Sequence, residues 1–171
     1  MRVILFRHGP AGERDPERWP DDRIRPLTPK GIERTRRAAR GLLRLEGEPR
    51  RVLTSPLERC VRSARILAAE GKLENAVETV EALAPRSSWR DVLLRLAEEP
   101  ADAKVVLVGH EPDLGKLAGV LLFGAPAALP LKKAGACSID FEDTVAAGSG
   151  RLRWFLHARG LADVRSSRSK V

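Results

Sequence analysis

The 171-residue chain has no tyrosine, only four phenylalanines and three tryptophans, two cysteines and a single methionine. With Trp19, Trp89 and Trp154 scattered along the chain, there is no stacking platform for bases, and no nucleic-acid reading motif is present. Cys60 and Cys137 share no metal-ligand spacing and outline no disulfide framework, so free, buried thiols are expected. No apolar run approaches the roughly 18–20 residues that a membrane-spanning helix needs. The opening "MRVILFRHG" is too short in its apolar part for a signal peptide, and no small-residue cleavage site follows it. These absences lead us to expect a cytoplasmic protein without nucleic-acid or membrane partners.

Charge, by contrast, is plentiful and one-sided. The formal net charge is +8, with arginine far outnumbering lysine, which points to anionic partners such as phosphate esters or acidic proteins. Part of that excess lies in "VRSSRSKV", residues 164–171, read as a basic, disordered tail. The remainder, residues 1–163, is long enough for one domain with a substantial core.

Apolar runs alternate with helical patterns along the chain, as in a parallel sheet with crossover helices. "RVILF" (2–6) reads as a strand covered on both faces, and the polar, proline-punctuated stretch 15–26 as a loop. A helix is expected from Thr28 as N-cap and Pro29 at its first position, with Ile32, Ala39, Leu42 and Leu43 inward and arginines outward. "RVL" (51–53) reads as a second strand. Ser55, Pro56 and Glu58 then suggest a capping box for a helix that buries Leu57, Val61, Ala64 and Leu67 and stops at Gly71. Val77 and Val80 mark a third strand, 87–100 a helix, 104–110 a strand and 111–124 a helix. Segments 136–142 and 151–159 alternate as half-buried strands, which makes His157 a structural residue. The expected fold is a three-layer α/β/α arrangement, a mostly parallel sheet flanked by helices with one antiparallel edge strand.

Three places share one layout: a strand, a short loop carrying His or Arg, then a helix start. Arg7 and His8 follow the first strand, Arg59 lies in the first turn after the second, and His110 ends "KVVLVGH". Loops at the carboxyl ends of parallel strands converge on one crevice, so these four side chains can meet. Such a cluster suits a phosphoryl group, because guanidinium forks pair with phosphate oxygens and helix N-termini add oriented N–H groups. A neutral histidine beside that cradle can attack phosphorus through one ring nitrogen while the other is held as a donor.

The ordered motifs "RHG", "LTPKGIERTRRAARGL", "LTSPLERCVRSARIL" and "VLVGHEP" resemble the histidine phosphatase superfamily, whose fold is phosphoglycerate mutase-like. Within it, short length and motif arrangement are most similar to SixA-type phosphohistidine phosphatases, over roughly residues 2–124. The resemblance implies His8 as the transiently phosphorylated nucleophile and Arg7, Arg59 and His110 as the phosphate pocket. It implies no metal and no organic cofactor. Superfamily members that cleave phosphate esters carry an acidic proton donor after the third strand, and Glu81 is the candidate for that role. Phosphohistidine has less need of such a donor, because its leaving imidazole can already be protonated. Only residues 60–109 separate Arg59 from His110, too few for a long lid, so an open cleft is expected.

The implied function is removal of phosphate from phosphohistidine in a protein, for example a phosphotransfer domain. Two other readings remain at this level: a small-molecule phosphomonoesterase of the same superfamily, and a non-catalytic phosphoprotein-binding module.

Overall fold

Alternate residues of the first strand go to opposite layers, and that alternation organises the molecule. The computed structural model describes residues 1–165; of the tail 164–171, residues 166–171 lie outside the described residues. Strands β1 (Arg2–Arg7), β2 (Arg51–Thr54), β3 (Val77–Thr79), β4 (Lys104–Gly109), β5 (Ala136–Asp140) and β6 (Arg151–Leu156) form one sheet in the order β3-β2-β4-β1-β5-β6. Helices α1 (Pro29–Glu46), α2 (Glu58–Gly71), α3 (Trp89–Leu96), α4 (Asp113–Phe123) and α5 (Ala158–Ala162) flank it.

Ile4, Phe6, Val52, Val106 and Val108 pack against Ala38, Ala39 and Leu42 of α1, Cys60, Ala64 and Leu67 of α2, and Leu161 of α5. Val3, Leu5, Leu53, Val105 and Leu107 face the other way, onto Val92 and Leu96 of α3 and Leu114, Leu117 and Leu121 of α4. The result is the three-layer α/β/α fold expected from the sequence. Burying each of these large side chains contributes roughly 1.5–3 kcal/mol, so β1 and β4, apolar on both faces, anchor the centre.

Strands β3, β2, β4 and β1 are mutually parallel, and β5 is antiparallel to both its neighbours. The reversed strand is therefore β5, one place in from the edge, rather than the edge strand itself. β6 closes the sheet and turns at His157 into α5, a short helix where the sequence suggested strand. His157 is exposed, with its ring edge-on to Phe155 at 6.1 Å.

Two caps differ in outcome. Thr28 caps α1 as expected, its side chain accepting from Gly31 N. The capping box at Ser55 is only half made: Ser55 Oγ accepts from Leu57 N (3.4 Å), but Ser55 N donates to Val108 O of the sheet (2.9 Å), and α2 begins at Glu58 with Leu57 at the N-cap position. Helix α2 runs through Gly71, and Lys72 makes the left-handed turn that ends it (φ 54°). No helix among the described residues is long and apolar enough to cross a membrane.

Candidate active site

The four parallel strands end at the same side of the sheet, and each is followed by a residue singled out above: His8 after β1, Arg59 after β2, Glu81 after β3 and His110 after β4. Strands β1 and β4 are direct neighbours, and His8 N donates to Gly109 O at 3.0 Å, which fixes the two histidine-bearing turns side by side. The first turn is clamped from α1. Thr28 N donates to Pro10 O (3.0 Å), and Gly9 lies so close to Thr35 that a Cβ there would overlap the Thr35 hydroxyl. Gly9 N also donates to Ser63 Oγ of α2 (3.2 Å).

His8 is buried (5 % exposed), and its Nδ1 lies 2.7 Å from Gly9 O. A carbonyl only accepts, so Nδ1 carries the proton and Nε2 keeps its lone pair. Burial, reinforced by the positive charges of Arg59 and Arg7 and by His110, pushes the His8 pKa down to about 3, against the opposing effect of the Gly9 carbonyl. The ring is neutral at any ordinary pH.

Three cationic or donor groups surround it. Arg7 is half-buried, with Nη1 on Leu131 O (2.6 Å), and burial lowers its pKa against the opposing charge of Glu111. Arg59 is 6 % exposed and donates Nη1 to Asp22 O (2.8 Å) and Nη2 to Asp22 Oδ2 (2.9 Å). His110 is 7 % exposed, with Nδ1 3.4 Å from Asp113 Oδ2. Burial lowers the His110 pKa and Arg59 adds to that, while Asp113 and the Leu83 and Glu111 carbonyls work the other way. Arg7 Nε, Arg59 Nε and His110 Nε2 are each buried without a hydrogen-bond partner among the described residues. Unpartnered buried polar groups are costly, and the two guanidinium N–H groups, joined by His110 Nε2 as a third donor when that ring is protonated, mark a place for an anion with several acceptor oxygens.

The structure thus brings Arg7, His8, Arg59 and His110 together. Glu81 sits exposed on a 3-10 turn (Glu81–Leu83) that borders His110 through Leu83, with its main-chain carbonyl accepting from Ser87 Oγ (2.8 Å). A small pocket beside His110 is walled by Ala82, Leu83, Trp89, Asp113 and Lys116. Four supporting residues escaped the sequence reading: Asp22, Ser63, Glu111 and Asp113. Asp113 had a usable signal, three residues after His110 at a helix start. Asp22 had none pointing to Arg59, which is 37 residues away.

The fold agrees with the sequence family: residues 3–87 match the histidine phosphatase superfamily (branch 1), and the chain belongs to that superfamily. It is 44 % identical over 138 residues to an uncharacterised protein of Picosynechococcus sp., a match covering 79 % of this chain and 82 % of that one. Among solved structures it is similar to the protein histidine phosphatase SixA complexed with tungstate, with a TM-score of 0.79 and 26 % identity over 94 % of this chain and 99 % of the other. A mutant phosphoserine phosphatase from Entamoeba histolytica, in complex with phosphoserine, shares the fold with a TM-score of 0.67 at 18 % identity, covering 94 % and 98 % of the two chains. Superfamily membership supports phosphatase activity.

Proposed function

We propose that the chain is a metal-independent phosphatase that removes phosphate from phosphohistidine in a partner protein, through a phospho-His8 intermediate. The observation that carries this reading is the neutral His8, Nδ1–H held by Gly9 O, facing three unpartnered buried nitrogens of Arg7, Arg59 and His110. Nε2 of His8 attacks phosphorus, and the P–N bond to the substrate imidazole breaks, its electron pair returning to that ring. The three donors hold the equatorial oxygens, on which charge is spread in the transition state. Water then attacks phosphorus, the bond to His8 Nε2 breaks, and inorganic phosphate leaves; one water is consumed per phosphoryl group. We take residues 1–163 as the single domain that does this, in the cytoplasm.

Two features favour a phosphohistidine over a phosphate ester. An alkoxide leaving group needs a proton donor whose pKa is raised by burial, and Glu81 is exposed. The chain between Arg59 and His110 is spent on α2, β3, α3 and β4, with no segment left over to roof the cleft. A phosphohistidine standing on a protein surface can reach such a site. The test compares the chain with His8→Ala on a phosphorylated phosphotransfer domain and on a generic phosphomonoester. Turnover of the phosphoprotein, with acid-labile label trapped on the wild type alone, is expected. Rapid ester cleavage with the phosphoprotein left intact would establish the small-molecule alternative. Phosphate-analogue binding with no phosphoenzyme would establish the non-catalytic one.

A further inference from the structure

Arg59 is gripped by a residue that no motif includes. Both terminal nitrogens of its guanidinium end on Asp22, Nη1 on the main-chain carbonyl (2.8 Å) and Nη2 on the carboxylate (2.9 Å). Asp22 is held in turn. Its other carboxylate oxygen accepts from Arg25 Nε at 2.7 Å, and Arg25 Nη1 donates to Gly12 O at 2.7 Å. The turn itself is pinned, because the Asp21 side chain accepts from Arg23 N. A chain of hydrogen bonds thus runs from the 12–25 loop to the first turn of α2.

The geometry of the guanidinium decides what this grip does. The group is planar, with five N–H donors, and a partner lying across both Nη atoms takes it end-on. That leaves the lateral edge, Nε–H and the second Nη2–H, which is the pair that can fork onto two oxygens of one phosphoryl group. Nε is the atom found buried and unpartnered. Asp22 therefore occupies the edge that phosphate does not need.

We propose that Asp22 is a positioning residue that fixes the Arg59 guanidinium end-on, so that its Nε edge is presented to the phosphoryl group. The proposal rests on the reading of Arg59 as a phosphoryl ligand. Without the Asp22 carboxylate, Nη2 of a buried side chain loses its acceptor and only the main-chain carbonyl still holds Nη1, so the planar group can swing about that single bond. A carboxylate close to an anion site also repels the anion, so orientation and repulsion predict opposite outcomes on its removal.

The experiment measures tungstate binding by calorimetry, and kcat and KM on a generic phosphomonoester, for the full chain and for Asp22→Ala, Asp22→Asn, Arg59→Ala and the Asp22→Ala/Arg59→Ala pair. Asp22→Ala is expected to weaken tungstate by about tenfold or more and to raise KM in step, as misplacement of an oriented group does. Asp22→Asn, which restores a side-chain acceptor oxygen for Nη2, recovers part of the loss. Once Arg59 is alanine, Asp22→Ala changes binding by less than about twofold, because a residue acting through another has no effect in its absence. Tighter or unchanged tungstate binding in Asp22→Ala overturns the proposal, as does an equal loss in both backgrounds. Unchanged binding in Arg59→Ala overturns the phosphoryl role of Arg59 as well, which separates the two failures.

Discussion

The ends of β1 and β4 are built alike, two parallel neighbours each finishing in a buried histidine at the head of a turn, yet the two rings are held differently. His8 has only a neutral carbonyl on Nδ1, and its charged neighbours, Arg7 and Arg59, are cations. His110 has a carboxylate, Asp113, 3.4 Å from Nδ1. Burial lowers the pKa of both, but around His8 the neighbouring charges add to that effect, while beside His110 the Asp113 carboxylate opposes it. A ring with a free lone pair is what a nucleophile requires, and a ring that a carboxylate helps to protonate is suited to donate to phosphoryl oxygens.

The sharpest break of this comparison is to remove each histidine in turn. His8→Ala is expected to lose at least about 10³-fold in kcat and all trapped phosphoenzyme, since no neighbour can replace the attacking atom. His110→Gln is expected to lose about 10²-fold, the scale of one charge-stabilising donor, with phospho-His8 still detectable by rapid quench. Equal losses with label absent from both variants would erase the distinction.

Asp113→Asn addresses the partner directly. It withdraws the charge that supports protonated His110, lowers that pKa further, and costs about tenfold near neutrality. Activity that depends on protonated His110 declines as pH rises through its pKa, so the decline should begin at lower pH in the variant. A pH–rate profile that does not move would remove Asp113 from the account.

The same contrast predicts a stability effect. The folded pKa of His8, about 3, lies below its ordinary value of 6.5, so between those values the unfolded chain binds a proton that the folded chain does not. Stability therefore falls as pH drops below 6.5, by up to about 1.4 kcal/mol per pH unit from this one group. Urea unfolding at pH 7.5, 6 and 5 should show a shallower decline for His8→Asn than for the wild type. Glu81→Gln should do least: on a phosphohistidine protein its rate stays within about twofold of the wild type, because an exposed carboxylate is poorly suited to act as an acid. A tenfold loss there would bring Glu81 back as a proton donor.

Much of this was readable from residue order because it depends on local rules. Apolar runs gave β1 and β4, Thr28-Pro29 gave the start of α1, and the histidines and Arg59 sat at strand-to-helix junctions, which a parallel sheet gathers at one edge. What escaped was non-local. The link from Asp22 to Arg59 spans two elements and leaves no spacing rule behind. Ser55 does offer its hydroxyl to Leu57 N, but its own N–H is taken by Val108 O of the neighbouring strand, so tertiary pairing leaves the box without its Glu58 half. The inner position of β5 follows from its pairing with both β1 and β6, which alternation in "ACSIDFE" cannot express.

The bond from His8 N to Gly109 O, already noted as fixing two turns, also sets a dimension. The two histidines hang from adjacent strands about 4.8 Å apart, a spacing set by the sheet rather than by any loop. The sheet, rather than any loop, therefore holds the two histidine-bearing turns in register, so changes in loop length elsewhere leave their relation untouched. Phosphate, vanadate and tungstate should accordingly compete for one place.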